Sequence, residues 1–389
     1  MAYSKIFSGD LPEITNEIIQ YLKKDLTTLY SCIFVNRLWC RLAIPLLWEN
    51  PFSFPTKNYR CIEIYLSYLN DDDKTKFNGY EIINNLLPSN TLLFNYPSFI
   101  KCLNLGTIYI STKEWVSTLL DDDREKLEEL VYRSLFEVLI KNEGILHSFE
   151  IVMFADFIQQ INKIIKPFKL KTLFMKEISH FNSLQFLLKK FGNYLENFEF
   201  GSMREEYEVS RKKLLGLIIN YCTNIKRFTS DKPDDNNIYL LIENIGQTIN
   251  YINIDLNLNY SDDLGLIILQ NLGQVLPTKL DYLSLSLSFN IKDFEIFLKN
   301  SQNTFIKKLL IRNIMKNDDK SILSYIKKYI MMKERVKYLA CLELIPFSNN
   351  TNKDLYFLKD EVNEFKLHNI VVRKYFDLCI FIKDIIYNK

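Results

Sequence analysis

Residues 280–285 read LDYLSL, with apolar side chains at the first, fourth and sixth places, and the same spacing recurs along the chain. Nearest to it are Ile249-Ile252-Ile254, Ile306-Leu309-Ile311 and Val336-Leu339-Cys341. Further out lie Leu195-Phe198-Phe200, Leu170-Leu173-Met175, Leu146-Phe149-Ile151, Ile100-Leu103-Leu105 and, downstream, Val362-Phe365-Leu367, with Ile225-Phe228-Ser230 as a weaker copy. Taking the middle residue as marker, the steps from Phe149 are 24, 25, 30, 24, 31, 26, 30 and 26 residues. Between the copies the apolar period changes from 2 to 3.6: Leu184, Leu187, Leu188 and Phe191 share a helical face, as do Leu214, Leu217, Ile218 and Tyr221. Leu264, Ile267, Ile268 and Asn271 follow a similar spacing. A strand-plus-helix unit of this length leaves one apolar side open, and only its neighbour closes it.

Unit length and spacing resemble degenerate leucine-rich repeats. The resemblance implies an α/β solenoid over residues 98–389, a horseshoe of parallel strands with outer helices. The Asn that normally ladders such repeats falls only at Asn257; its place elsewhere holds Ile178, Met203, Pro233, Ser288, Ile314, Leu344 or Ile370, so curvature should be less regular. The step from Leu103 to Phe149 is 46 residues, which a loop at Asp121–Asp123 and a helix through Leu127, Leu130, Val131, Leu135 and Leu139 would fill. The apolar stretch Val372 to Ile386 is expected to cap the open end.

The amino terminus obeys another rule. Residues 10–48 read DLPEITNEIIQYLKKDLTTLYSCIFVNRLWCRLAIPLLW. Asp10 and Glu13 form a capping box, Pro12 suits a first turn, and Ile14, Ile18 and Leu22 come at helical spacing. Asp25 starts a second helix carrying Leu26, Leu29, Ile33 and Phe34. Asn36 punctuates before Leu38, Trp39 and Leu42, and Pro45 is expected to end or kink that third segment. Helices this short are marginal alone, so their surplus apolar surface must meet the rest of the chain or another protein.

Leu11-Pro12-x-Ile14, Ile18, Leu22, Leu26, Leu29, Val35-Asn36-Arg37-x-Trp39, Leu42-Ala43 and Trp48 resemble the F-box motif, with Asn36 where the family usually has Cys. The tail Ala43 to Trp48 is similar to fungal F-box proteins. The resemblance implies that residues 1–50 dock a Skp-type adaptor of a cullin scaffold, through Leu11, Pro12, Ile18, Leu22, Leu26, Val35, Trp39 and Leu42. Residues 51–97 read as a helical linker, with one helix at Ile62, Tyr65, Leu66 and Leu69 and another at Ile82, Ile83, Leu86 and Leu87. The function implied is a substrate-recognition subunit of an SCF ubiquitin ligase complex in ubiquitin-dependent protein degradation. The alternative is an F-box interaction scaffold without ligase output.

Composition narrows the rest. The 389 residues are 48% apolar and 25% charged, with a formal charge of +2, which offers no field for nucleic acid or an acidic membrane. No apolar run approaches the roughly 18 residues of a membrane span. Seven cysteines, none in a CxxC pair, read as small buried apolar residues rather than zinc ligands or disulfides, so the expected compartment is cytoplasmic and/or nuclear. Asp71–Asp73 and Asp121–Asp123 read as solvated loops. Phosphate-loop, dinucleotide, zincin and nucleophile-elbow motifs are absent, and His147, His180 and His368 have no partner nucleophile. The expectation is therefore a non-catalytic protein with no cofactor and no metal.

In a solenoid the residues between the apolar strand positions line the concave face. They are Thr172, Phe174, Asn197, Glu199, Arg227, Thr229, Tyr251, Asn253, Tyr282, Ser284, Lys308, Leu310, Tyr338, Ala340, Glu364 and Lys366. Tyr and Arg are common interface anchors, so Arg227, Tyr251, Tyr282, Lys308 and Tyr338 are the candidate patch for a client protein.

Overall fold

The structure is a computed structural model and describes residues 11–53, 59–80, 92–119, 124–141, 148–151, 170–175, 181–200, 207–230, 236–256, 262–314, 321–344 and 352–380. Packing divides the chain into two compact units, Met1–Leu170 and Lys171–Lys389, so the division falls well beyond the boundary expected at residue 97. Asp10, Asn257, His147, His180, the Asp121–Asp123 run and the helix expected at Ile82–Leu87 lie outside the described residues.

The first unit opens with three helices, α1 (Pro12–Tyr21), α2 (Leu26–Cys32) and α3 (Arg37–Leu47). Asp25 caps α2 by accepting from the Thr28 N–H at 3.1 Å and the Thr28 hydroxyl at 2.6 Å. Asn36 caps α3 by accepting from the Trp39 N–H at 2.9 Å, so a residue that departs from the motif serves as a cap. Ile19, Leu29, Cys32, Trp39, Ala43 and Leu46 form the core between the helices. Pro45 does not end α3, which runs through it to Leu47. The buried Ala43, Ile44 and Leu46 around it outweigh the proline bias, which acts only within the final turn.

Glu49 ties these helices to the start of β1 (Cys102–Asn104). Its carboxylate takes Lys23 at 2.8 Å and also Lys101, and its carbonyl accepts from the N–H groups of Lys101 and Cys102. Trp48 packs on Tyr65 and Tyr96, with ring centroids 5.5 and 4.2 Å away. Tyr65 belongs to α4 (Arg60–Leu66), which precedes α5 (Asp71–Thr75). Here the reading of Asp71–Asp73 as a solvated loop is corrected. Asn70 caps α5, and the carboxylate of Asp73, a buried residue, pairs with Lys76 at 2.6 Å. After β1 the unit continues with α6 (Leu105–Ser117), α7 (Arg124–Lys141) and β2 (Ser148–Ile151). β1 and β2 pair in parallel with Leu103 opposite Phe149, and α7 is the expected helix in the 46-residue step.

The second unit repeats strand then helix: β3 (Thr172–Met175), α8 (Phe181–Phe191), β4 (Asn197–Phe200), α9 (Glu208–Tyr221), β5 (Arg227–Ser230), α10 (Asn236–Asn244), β6 (Tyr251–Asp255), α11 (Asp262–Val275), β7 (Lys279–Leu287), α12 (Ile291–Asn300), β8 (Phe305–Ile314), α13 (Leu323–Ile326) and β9 (Val336–Leu344). Neighbours from β3 to β9 are parallel, and the expected markers stand in one register: Leu173, Phe198, Phe228, Ile252, Leu283, Leu309, Leu339. All seven are fully or almost fully buried. The weak copy has a physical reason, since Ser230 accepts at 2.8 Å from the buried Arg211 guanidinium, which lies over the Phe200 ring.

Two expectations about side-chain placement fail. On α11 the buried residues include Ile268, Leu269 and Leu272, while Ile267 is exposed. The last copy, Val362-Phe365-Leu367, lies on α14 (Lys359–Leu367), so Glu364 and Lys366 are helical; the strand is β11 (Val371–Val372), paired with Tyr338 and Leu339. Places one and four are neighbours in a helix as well as in-phase in this repeat, so the spacing alone cannot separate the two. Lys327 bridges Glu361 and Glu364, one turn apart, and Asn369, with φ 58°, ends the helix in the left-handed region.

The missing Asn ladder also has a consequence. β7, β8 and β9 run to 9 or 10 residues, and Leu287, Asn313 and Glu343 share a register at their ends. Buried Asn313 accepts from the Phe289 N–H and buried Glu343 from the Ile322 N–H, so polar groups satisfy the turns from another position.

The helices pack closely. A Cβ on Gly265 would sit 2.0 Å from the Ser288 carbonyl oxygen. Gly265→Ala is expected to lower stability in a denaturant titration, because overpacking costs roughly 1–3 kcal/mol and exceeds the ~1 kcal/mol that a helix gains from Ala over Gly.

Candidate functional site

Two surfaces, one in each unit, carry the candidate residues. In the first, the short helices leave Ile14, Tyr21, Tyr30, Phe34 and Val35 exposed, at 44, 89, 59, 74 and 42%. Tyr30 and Phe34 meet edge to face with ring centroids 5.5 Å apart. Of the expected adaptor-binding residues, Pro12 and Val35 are exposed, and Leu11, Ile18, Leu22, Leu26 and Leu42 are half-buried. Trp39, at 6% exposure, is sealed in the three-helix core and so holds the helices together rather than facing outward. Large exposed apolar side chains drawn from α1, α2 and the turn before α3 are what protein association uses.

The second surface is the sheet side opposite the repeat markers. Strand register sets Thr172, Asn197, Arg227, Tyr251, Tyr282, Lys308 and Tyr338 opposite one another in successive strands. Asn197 donates to the Thr172 hydroxyl at 2.8 Å, and Arg227 donates to the Asn197 side-chain oxygen at 3.2 Å. The rings of Tyr251 and Tyr282 stack, 4.3 Å apart and 5° from parallel. All five residues of the expected patch therefore stand in one row, but they are not equally open.

Tyr251 and Tyr282 are only 4% and 3% exposed, because the chain's own carboxyl-terminal segment lies on them. That segment comprises β11, α15 (Tyr375–Leu378) and Cys379–Ile380. Tyr375 and Leu378 join Tyr251, Tyr282, Leu310, Ala340 and Leu342 in one apolar cluster. The Tyr251 hydroxyl donates to the Ile380 carbonyl at 2.6 Å, and the Ile380 N–H donates to the Tyr282 hydroxyl at 3.3 Å. Burial pushes the Tyr282 phenol up to about 12 and raises Tyr251 further, so Tyr251 keeps the proton that it donates to Ile380. The reading of these two tyrosines as open anchors is corrected: they hold this segment, and Arg227, Lys308 and Tyr338 remain half-buried beside it.

The stretch expected to cap the open end does so at Val372 in β11, and from Tyr375 to Ile380 it also covers this face. The free edge of β9 is taken by β11 and by β10 (Lys353–Asp354), with which it pairs antiparallel, and this removes an exposed strand edge. Asp354 also accepts from the Tyr375 N–H at 3.0 Å, fixing where the segment turns onto the sheet. Sequence reasoning missed this role of Tyr375, Leu378 and Ile380; the only signal was the apolar tail itself.

Among the described residues no group of three or more His, Cys, Asp or Glu side chains is placed to hold a metal ion. Nor is any helix there long and apolar enough to cross a membrane. No disulfide joins the cysteines, and burial pushes the Cys222 thiol up to about 12 and Cys61 to about 11, with Cys341 raised too. Maleimide treatment of the folded protein near neutral pH should leave Cys222 and Cys341 unmodified, because the reactive thiolate is disfavoured and the sulfur is covered. Rapid labelling of either would contradict their burial.

No protein-family model matches the chain. No curated protein matches it either.

Proposed function

We propose that the chain is a substrate-recognition subunit of an SCF-type ubiquitin ligase, with an amino-terminal F-box that docks a Skp-type adaptor and a leucine-rich-repeat-like solenoid that holds a client protein. The observation that carries the reading is the exposure of Ile14 and Tyr30 on two short helices and of Phe34 and Val35 in the turn that follows, in a stretch that also bears the Leu11-Pro12 start and the Val35-to-Trp39 centre of the motif. The register of the βα units favours a solenoid for the remainder. In this reading no residue performs chemistry. Holding a client near a charged conjugating enzyme raises the effective concentration of its lysines, and that proximity is the catalytic contribution. The site of action is the cytoplasm, the nucleus or both.

Affinity purification of the tagged full chain tests it. Recovery of both a Skp-type adaptor and a cullin supports the ligase receptor. Recovery of the adaptor without cullin favours the interaction scaffold, and recovery of neither sinks both readings.

A further inference from the structure

The grip on Ile380 is a grip on main chain: one tyrosine hydroxyl takes its carbonyl and the stacked neighbour takes its N–H. Such a pair does not read the Ile380 side chain, so any extended peptide of suitable length could satisfy it. Side-chain selection comes from the apolar cluster, which takes Tyr375 and Leu378, three residues apart, with Ile380 packed against it.

Beside this grip the segment leaves a recess of about 440 Å³, lined by Lys307, Lys308 and Tyr338 from the sheet and Arg373, Asp377 and Leu378 from the segment. Lys308 stands opposite both Tyr282 and Tyr338 in the strand register, so the recess adjoins the tyrosine pair. Three cations face one carboxylate there, and Lys307 and Lys308 remain when the segment that carries Arg373 and Asp377 leaves. Lys307 lies 4.0 Å from Asp281, an exposed pair worth little, and among the described residues Lys308 and Arg373 have no ion-pair partner. The recess is therefore short of negative charge.

We propose that Tyr375–Ile380 is a built-in occupant of a peptide-binding row, and that an acidic, apolar segment of a second protein, one helical turn running into an extended end, replaces it, entering through the basic recess. Its pattern matches the segment it displaces, an aromatic residue, a leucine-like residue three places on and an apolar residue two further, with acidic residues before them. This rests on the reading of the sheet as the client face and adds the chemistry of the client and a competition that limits its access.

The probe is a labelled decapeptide of the Val371–Ile380 sequence with Arg373→Asp, Lys374→Asp and Cys379→Ser, titrated into the full chain by fluorescence anisotropy. Tyr375→Ala in the chain, which loosens the occupant, should tighten peptide binding at least tenfold. Ile380→Pro, which removes the N–H that Tyr282 accepts and the isoleucine packed against the cluster, should do the same and serves where Tyr375→Ala fails to fold. Adding Tyr251→Phe and Tyr282→Phe should return the affinity to the starting value or below. Lys308→Gln should weaken the acidic peptide severalfold while leaving a version with Asn at those positions unchanged. No binding by either folded loosened variant, or binding indifferent to the tyrosine changes, overturns the proposal. Adaptor recovery measured on the same preparations separates the two readings: its loss with peptide binding intact rejects the receptor assignment and leaves the peptide site standing.

Discussion

Replacing Phe34 and Val35 together by glutamate is expected to abolish recovery of a Skp-type adaptor while leaving the thermal unfolding of the chain close to that of the parent. The separation of the two effects stems from exposure. Phe34 is 74% and Val35 42% exposed, so neither contributes much to the core formed by Ile19, Leu29, Cys32, Trp39, Ala43 and Leu46. On docking, each would lose its contact with water. Burying a large apolar side chain contributes roughly 1.5–3 kcal/mol, so two contribute on the order of 3–6 kcal/mol, and a buried unpaired carboxylate adds a further penalty. That corresponds to a loss of roughly a hundredfold to ten-thousandfold in affinity. Trp39→Ala would make a poor substitute, because its 6% exposure means that lost adaptor binding would only report a disrupted helix core. Full adaptor recovery by the double glutamate variant would remove this surface from the account.

The second large effect concerns stability. Arg335 is 7% exposed and pairs with no carboxylate among the described residues; its guanidinium donates to the carbonyls of Thr304 at 3.2 Å, Leu298 at 3.4 Å and Ser301. Leu298 and Ser301 sit at the end of α12, whose last carbonyls lack helical partners. A cation there also meets the negative end of the helix dipole. Arg335→Ala removes the side-chain donor from the Thr304 and Leu298 carbonyls, each worth about 1–3 kcal/mol if left unsatisfied, while the Ser301 carbonyl keeps the Thr304 N–H. Relief from holding a charge away from water, which lowers the Arg335 pKa, returns part of that. The expected net loss is on the order of 3 kcal/mol in denaturant unfolding. Arg335→Lys keeps the charge but not the planar fork and should recover less than half of it. A loss below about 0.5 kcal/mol for the alanine variant, the low end for a single hydrogen bond, would mean that the carbonyls find other donors.

Much of the repeat is legible in the sequence because its cause is local. An apolar side chain at the marker position must be buried in every unit, so Leu173 through Leu339 line up in the register that their spacing predicts. Asn36 and Asp25 are likewise legible, since a cap acts within three residues. Phe365 is not, because the interval from one to four suits both a helix and this strand motif. Asp360 and Glu361 in the first turn, and the bridge from Glu361 and Glu364 to Lys327, far off in sequence, favour the helix there. The occupancy of Tyr251 and Tyr282 depends on contacts 129 and 98 residues away, and no local pattern carries it. Their places in the row are readable from spacing, whereas their burial is not.

The most direct measurement is a calorimetric titration of the purified full chain with a purified Skp-type adaptor at several temperatures. A one-to-one complex in the submicromolar range with a clearly negative heat-capacity change is the result expected when apolar side chains such as Phe34 and Val35 leave water together. No heat at tens of micromolar, or binding whose enthalpy does not vary with temperature, would contradict the claim that these helices are completed by a second protein.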